Sequence, residues 1–323
     1  MPAGPEFHLI EKYFSPPDAR GNGVVLGVGD DGAVLRVPAE KELVVTTDTL
    51  VAGVHYPAAT APADVGHKAL AVNLSDLAAM GAEPAWATLA LTLSAADEKW
   101  LSAFADGLFS LAKRFGVTLV GGDTTRGPLT LITLHLLGLV PRGEALYRGG
   151  ARTGDLVYVT GTLGDAALAL RLLEGGERVP EALRCRLDRP EPRVAEGVAL
   201  RGLASACIDI SDGLLADLGH ILEASGVGAR LELERLPLSG DYQTHVKGER
   251  DPWEAAVSGG DDYELCFTVP PGKAEELERS FARSGWVCHQ VGVIEEQPGL
   301  RCRLPDGTVY APRRRGYDHF APL

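Results

Sequence analysis

Six short turns place an aspartate among glycine, serine or threonine: "GVGDDGAVL" (27–35), "TTDT" (46–49), "NLSDL" (73–77), "VGGDTT" (120–125), "DISDG" (209–213) and "SGGDDYEL" (258–265). Carboxylate and hydroxyl oxygens suit hard divalent cations. Mg2+ in particular uses few carboxylates per ion and completes its shell with water or substrate phosphates. Histidine and cysteine are absent from these turns, which argues against zinc. Taken singly, each aspartate reads as a turn or helix-cap residue. Asp212 could cap the helix beginning at Gly213, and Asp165 the helix over 166–174. The recurrence is what favours cation-assisted chemistry on phosphates. Asp76 sharpens it, because Ala69, Val72, Asp76 and Met80 share one stripe of a helix predicted over 63–81. Burying an unpaired carboxylate costs several kcal/mol, so a cation should meet it. Lys68 is the one nearby basic residue and lies off that stripe, which makes a divalent metal a reasonable candidate. "GTLGD" (161–165) is a glycine loop opening a helix, a place that suits phosphate. It is neither a Walker A nor a dinucleotide fingerprint.

Short apolar runs alternate with amphipathic stretches. Strands are predicted at 42–48, 85–93, 117–123, 129–140, 155–161, 206–211 and 263–269, and at "WVCHQVGVI". Helices are predicted at 63–81, at 94–116 with Ser94 as N-cap, at 166–176, at 193–204, after Asp212, and over "GKAEELERSFARSG". The Gly- and Arg-rich segment 141–155 has little apolar content and marks a domain boundary, giving domains over 1–145 and 146–323. The mixed β-β and β-α steps read as α/β of the layered α+β kind rather than a doubly wound sheet.

With 323 residues, 45% hydrophobic and 23% charged, the chain has room for two domains and a substantial core. A net charge of -13 sets aside nucleic acid and anionic membranes as partners. The five cysteines are scattered and never form C-x-x-C, which fits a reducing cytosol and not a disulfide framework. "MPAGPEFHLIEKYF" lacks the features of a secretory signal, and no apolar run approaches the ~20 residues of a membrane helix.

"GVGDDGAVL", "VVTTDTLVAGVHY", "KALAVNLSDLAAMGAEP", "LVGGDTTRGP", "YVTGTLGDAALAL", "CIDISDGLLADLGHI", "SGGDDYELCFTV" and "RRGYDHF" occur in that order and cover nearly the whole chain. Together they closely resemble the thiamine-monophosphate kinase family, within the aminoimidazole ribonucleotide synthetase-like superfamily. The resemblance implies transfer of a phosphoryl group from ATP to thiamine monophosphate, giving thiamine diphosphate. It implies several Mg2+ ions, often with a monovalent cation such as K+. It also implies a homodimer whose N-terminal sheets join into a barrel, and a C-terminal α/β sandwich. Carried over by motif, Asp30, Thr46, Thr47, Asp48, Asp76, Asp123, Asp209 and Asp212 would be metal-site residues. Gly122, Asp123, Arg148 and Ser211 would contact ATP, and His55, Asp261 and Tyr317 would line the thiamine site. Asp261 stands where the family commonly has glutamate, shortening the carboxylate by one methylene. The tyrosine common before the helix glycine near Gly107 is replaced by "AFADG".

A substrate phosphate has a second pKa of ~6 and is already a nucleophile near neutral pH. No general base is therefore expected, and the aspartates would hold metal. Tyr317 or Phe320 would offer an aromatic face to the cationic thiazolium. The rival readings are a related ATP-using enzyme with another acceptor, and a non-catalytic Mg2+–nucleotide sensor.

Overall fold

A computed structural model describes residues 5–15, 23–317 and 320. The chain divides into two compact units, one of residues 1–77 and 82–143, the other of residues 78–81 and 144–323.

The first unit runs α1 (Pro5–Phe14), β1 (Val24–Leu26), β2 (Val34–Leu35), β3 (Lys41–Val51), α2 (Pro62–Ala79), β4 (Glu83–Leu93), α3 (Glu98–Phe115), β5 (Thr118–Arg126) and β6 (Leu131–Pro141), with α2 leaving the unit after Leu77. Strands β3, β6, β4 and β5 form a sheet in that order. β3 pairs antiparallel with β6 from Lys41↔Pro141 to Val51↔Leu131, and β4 pairs parallel with β5. The β-branched "VVTT" favours the extended backbone of β3. On α2, Leu70, Leu74 and Leu77 are buried, as are Leu101, Phe104 and Leu108 on α3. The two helices touch backbone to backbone. A Cβ at Gly107 would lie 1.9 Å from the Ala63 carbonyl oxygen, and one at Gly66 would lie 2.1 Å from that of Phe104.

The second unit continues with β7 (Leu156–Thr160), α4 (Asp165–Glu174), α5 (Glu181–Asp188), α6 (Val194–Ala199), β8 (Ala206–Asp209), α7 (Leu214–Ser225), β9 (Gly228–Glu232), α8 (Gly240–His245), α9 (Glu254–Ser258), β10 (Leu265–Val269), α10 (Ala274–Ser284), β11 (Cys288–Glu295), β12 (Gly299–Arg303) and β13 (Val309–Tyr310). Its sheet has the order β13-β12-β9-β11-β7-β10-β8, mostly antiparallel, with β12 parallel to β9. Apolar residues of β7–β9 and of α4 and α7 share one core. This is a mixed α/β fold.

Three local expectations change. The N-cap of α3 is Asp97, not Ser94, because the Asp97 carboxylate accepts the N–H groups of Lys99 and Trp100. Strands β3 and β5 run past their predicted ends, so Asp48 and Asp123 lie inside strands rather than at turns. Ladder partners Leu134 and Ala90 hold them there. Asp165 does not cap α4. Gly164 does, and the buried Asp165 carboxylate instead accepts the Thr162 and Ser239 hydroxyls at 2.7 and 2.5 Å.

The Gly107 contact is testable. Gly107→Ala is expected to destabilise by about 1–3 kcal/mol through overpacking, against the ~1 kcal/mol that alanine gains in helix propensity. An unchanged or higher chemical-denaturation midpoint would contradict the close crossing.

Candidate active site

In the first unit, alternation along β3 sends Thr46 and Asp48 to one face and Thr47 to the other. The Thr46 hydroxyl donates to the Asp76 carboxylate of α2, and the Asp48 N–H donates to Asn73 Oδ1 at 3.2 Å. Asp48 and Asp76 are themselves hydrogen-bonded side chain to side chain. Asp48 is pushed up to about 7, first by burial and then by the charge and hydrogen bond of Asp76. Ala69 and Val72 are buried on the same helix, and Asp76 is half-buried, as its stripe predicts. Lys68 is only 1% exposed. Thr47 faces away from this pair, 2.5 Å from His135 Nδ1.

Asp30 and Asp123 meet elsewhere in the same unit. They line a cavity of about 690 Å³ together with Asp31, Gly122 and Thr124, under Ile10 and Phe14 of α1. The Asp30 carboxylate accepts the Asp31 N–H at 2.8 Å. A Cβ at Gly122 would sit 2.0 Å from the Leu89 carbonyl oxygen, so β5 can approach β4 here only with glycine. Glu11 also lines the cavity. Such an acidic lining repels a bare polyphosphate and accepts one carrying divalent cations. His55 sits just past the end of β3, where its Nδ1 accepts the Val51 N–H at 2.9 Å, which leaves the proton on Nε2.

In the second unit the loop after β8 and the loop before β10 lie side by side. Asp261 N–H donates to the Ser211 carbonyl at 2.9 Å, and Tyr263 N–H to that of Ile210 at 2.8 Å. The C-terminal segment joins them, with Tyr317 N–H donating to the Asp212 carbonyl at 3.0 Å. The structure thus gathers Ser211, Asp212, Asp261 and Tyr317, with Asp209 buried at the end of β8. Tyr317 is half-exposed and Phe320 almost fully so. Asp318 and His319 of the terminal motif lie outside the described residues. Arg148 is exposed next to Tyr147, whose carbonyl accepts the Cys207 N–H of β8.

The sequence reading missed three carboxylates here. Asp217, buried on the first turn of α7, accepts the N–H groups of Ser211, Asp212 and Gly213 at 3.0–3.1 Å. Asp212 does not cap α7, whose N-cap is Gly213; Asp217 instead ties down the loop leading into the helix. Burial and the neighbouring Asp212 push it up to about 7, against those N–H bonds. Its place four residues after the loop was the available signal. Asp262, also buried, accepts the Gly164 N–H with both oxygens. It therefore fills the N-terminus of α4 that "GTLGD" offered to phosphate. Burial pushes its pKa up, opposed by the Arg186 guanidinium. Glu264 is fully buried and accepts from Arg193 Nε and Nη2 at 2.6 Å, Arg186 Nη2 at 2.7 Å and Thr160 Oγ1 at 2.6 Å.

Residues 29–140 match the AIR synthase related protein N-terminal domain, and residues 152–305 the corresponding C-terminal domain. The thiamine-monophosphate kinase of Escherichia coli strain K12 is 48% identical over 98% of both chains. This chain belongs to the thiamine-monophosphate kinase family. The family member from Salmonella typhimurium LT2 is 49% identical over 98% of both chains. The crystal structure of the thiamine-monophosphate kinase from Stenotrophomonas maltophilia K279a superposes with a TM-score of 0.84 at 47% identity, covering 90% of this chain and 93% of that one. Another family structure, AaThiL complexed with AMPPCP and TMP, gives 0.78 at 35% identity, covering 91% and 92%. No described helix is long and apolar enough to cross a membrane.

A divalent cation can be weighed against the chemistry of these residues. Among the described residues no three His, Cys, Asp or Glu side chains form a ready-made metal site. The donors come as the Asp48–Asp76 pair and as carboxylates of the acidic cavity, all oxygen. That suits an ion taking one or two protein carboxylates and completing its shell with water and phosphate. A raised carboxyl beside a second carboxylate is also a place where a cation can replace the proton.

Asp48→Asn tests this. The folded pKa of Asp48 lies near 7, above its ordinary 3.8, so ionisation costs stability once the pH exceeds that ordinary value. With EDTA at pH 8 the variant should melt at the same temperature or a few degrees higher, and the difference should vanish below about pH 4. It should also lose the stabilisation that Mg2+ gives the parent protein. An undiminished Mg2+ response would remove Asp48 from the ion site.

Proposed function

We propose that this chain transfers the γ-phosphoryl group of ATP to the phosphate of thiamine monophosphate, forming thiamine diphosphate and ADP in the last step of thiamine diphosphate synthesis. Full-length identity of 48% with a kinase of that name carries the reading. The family structure holding an ATP analogue together with TMP supports the same two substrates.

We assign Asp30, Gly122 and Asp123 to the nucleotide's phosphates and their cations. The aspartates and the Thr46 hydroxyl (Asp30, Thr46, Asp48, Asp76, Asp123, Asp209 and Asp212) would hold Mg2+, with K+ as the monovalent companion, whereas the Thr47 side chain faces away, towards His135. Bound Mg2+ would neutralise charge on the reacting phosphates. Arg148 would reach a phosphate with its guanidinium fork, and Ser211 with its hydroxyl. His55, Asp261 and Tyr317 would hold the thiamine moiety, Tyr317 offering its ring to the cationic thiazolium. No residue needs to act as base, because the acceptor phosphate is ionised near neutral pH, its second pKa being ~6. The chain's task is to hold the two anions in line. The exposed apolar Leu43 and Val45 on β3 support a homodimer formed through this sheet, as the family's barrel requires. The free cysteines support a cytoplasmic setting.

The protein with ATP, Mg2+ and thiamine monophosphate should yield thiamine diphosphate. Unphosphorylated thiamine should yield none, and EDTA should stop the reaction. ATP binding without product would contradict the reading and point to another acceptor.

A further inference from the structure

The loop before β10 carries a backbone that its side chains disfavour. Asp261 has φ 68° and Tyr263 φ 49°, the two non-glycine residues with positive φ among the described residues. Aspartate tolerates this left-handed region, whereas an aromatic residue there is uncommon. Such strain persists only where the surroundings over-determine it. Here they do. The Asp261 and Tyr263 N–H groups are tied to the carbonyls of Ser211 and Ile210, and the Ile210 N–H returns to the Glu264 carbonyl at 2.7 Å. The next side chain is the fully buried Glu264, gripped by Arg193, Arg186 and Thr160. Arg186 also donates to the Asp262 and Thr162 carbonyls at 3.3 Å, joining this loop to the one before α4. The two left-handed residues bring their side chains together, and the Tyr263 hydroxyl donates to Asp261 Oδ1 at 2.9 Å. Tyr263 is 8% exposed and Asp261 half-buried, so the bond lies at the edge of the interior, partly withdrawn from water.

We propose that Tyr263 is a positioning residue for the acceptor: its hydroxyl aims the Asp261 carboxylate, and the Glu264–Arg193–Arg186 cluster holds both residues in the backbone that makes this contact. The inference rests on the reading above that Asp261 faces the thiamine moiety. It explains how a carboxylate one methylene shorter than the family's glutamate is held in a defined direction. The hydroxyl restrains one oxygen, and the left-handed backbone restrains the stem.

Steady-state kinetics of the full-length protein test it, with Tyr263→Phe, Asp261→Asn and the double variant. Tyr263→Phe keeps the ring and removes only the donor. It should raise KM for thiamine monophosphate about tenfold, the scale of a hydrogen bond to a charged group, with kcat and KM for ATP within about twofold. The double variant should be no worse than Asp261→Asn alone, since the two side chains act as one unit. An unchanged acceptor KM in Tyr263→Phe, with a raised one in Asp261→Asn, would overturn the positioning role and leave the site reading standing. An unchanged acceptor KM in Asp261→Asn would overturn the site reading and the inference with it. An equal rise in both KM values, or a melting point lowered enough to unfold Tyr263→Phe at assay temperature, would assign the hydroxyl to the fold and overturn the proposal.

Discussion

Asp48 on a strand and the half-buried Asp76 on a helix share a hydrogen bond, and burial together with that neighbouring carboxylate pushes Asp48 up to about 7. Most of the first unit can be understood as what keeps that pair in place. The β3–β6 ladder fixes where Asp48 lies, residue by residue. Asn73 and Thr46 tie strand to helix on either side of the pair. The glycine crossing of α2 with α3 sets how closely those helices pack. A carboxylate pair is an unfavourable thing to build unless a cation arrives to use it. Its presence in the same unit as an acidic cavity suits a protein that works on polyphosphates with divalent ions.

The second unit solves the same electrostatic problem in the opposite way. Three of its buried carboxylates are already supplied with partners from within the chain. Asp217 takes backbone N–H groups of the loop after β8, Asp262 takes the N-terminus of α4, and Glu264 takes two guanidinium groups. Each fixes a loop from within the chain. The residues assigned to substrate or metal, Ser211, Asp212, Asp261 and Tyr317, are the half-buried or exposed ones those loops carry.

The aspartate motifs, the amphipathic helices and the stripe bearing Asp76 were legible because each is a local pattern of a few residues. Strand ends were not, because the same Thr and Asp residues suit a turn or an extended chain, and the ladder partners that decide between them lie far along the sequence. Thr47 shows the limit of reading a motif as a unit: it adjoins Thr46 and Asp48, yet its side chain faces the other way. Glu264 was invisible for a related reason. Its arginine partners are 71 and 78 residues away, and nothing near "DYEL" announces them. Asp262 shows how a correct local rule can be pre-empted, since the helix N-terminus did attract an anion, but one from the protein itself.

The central claim is that aspartates of the first unit gather divalent cations around the nucleotide's phosphates. The most direct measurement is anomalous diffraction from crystals grown with Mn2+ in place of Mg2+ and a non-hydrolysable ATP analogue. The account expects manganese peaks within coordination distance of Asp48 or Asp76 and of Asp30 or Asp123, bridged to phosphate oxygens. A bound nucleotide with no manganese at these carboxylates would contradict it.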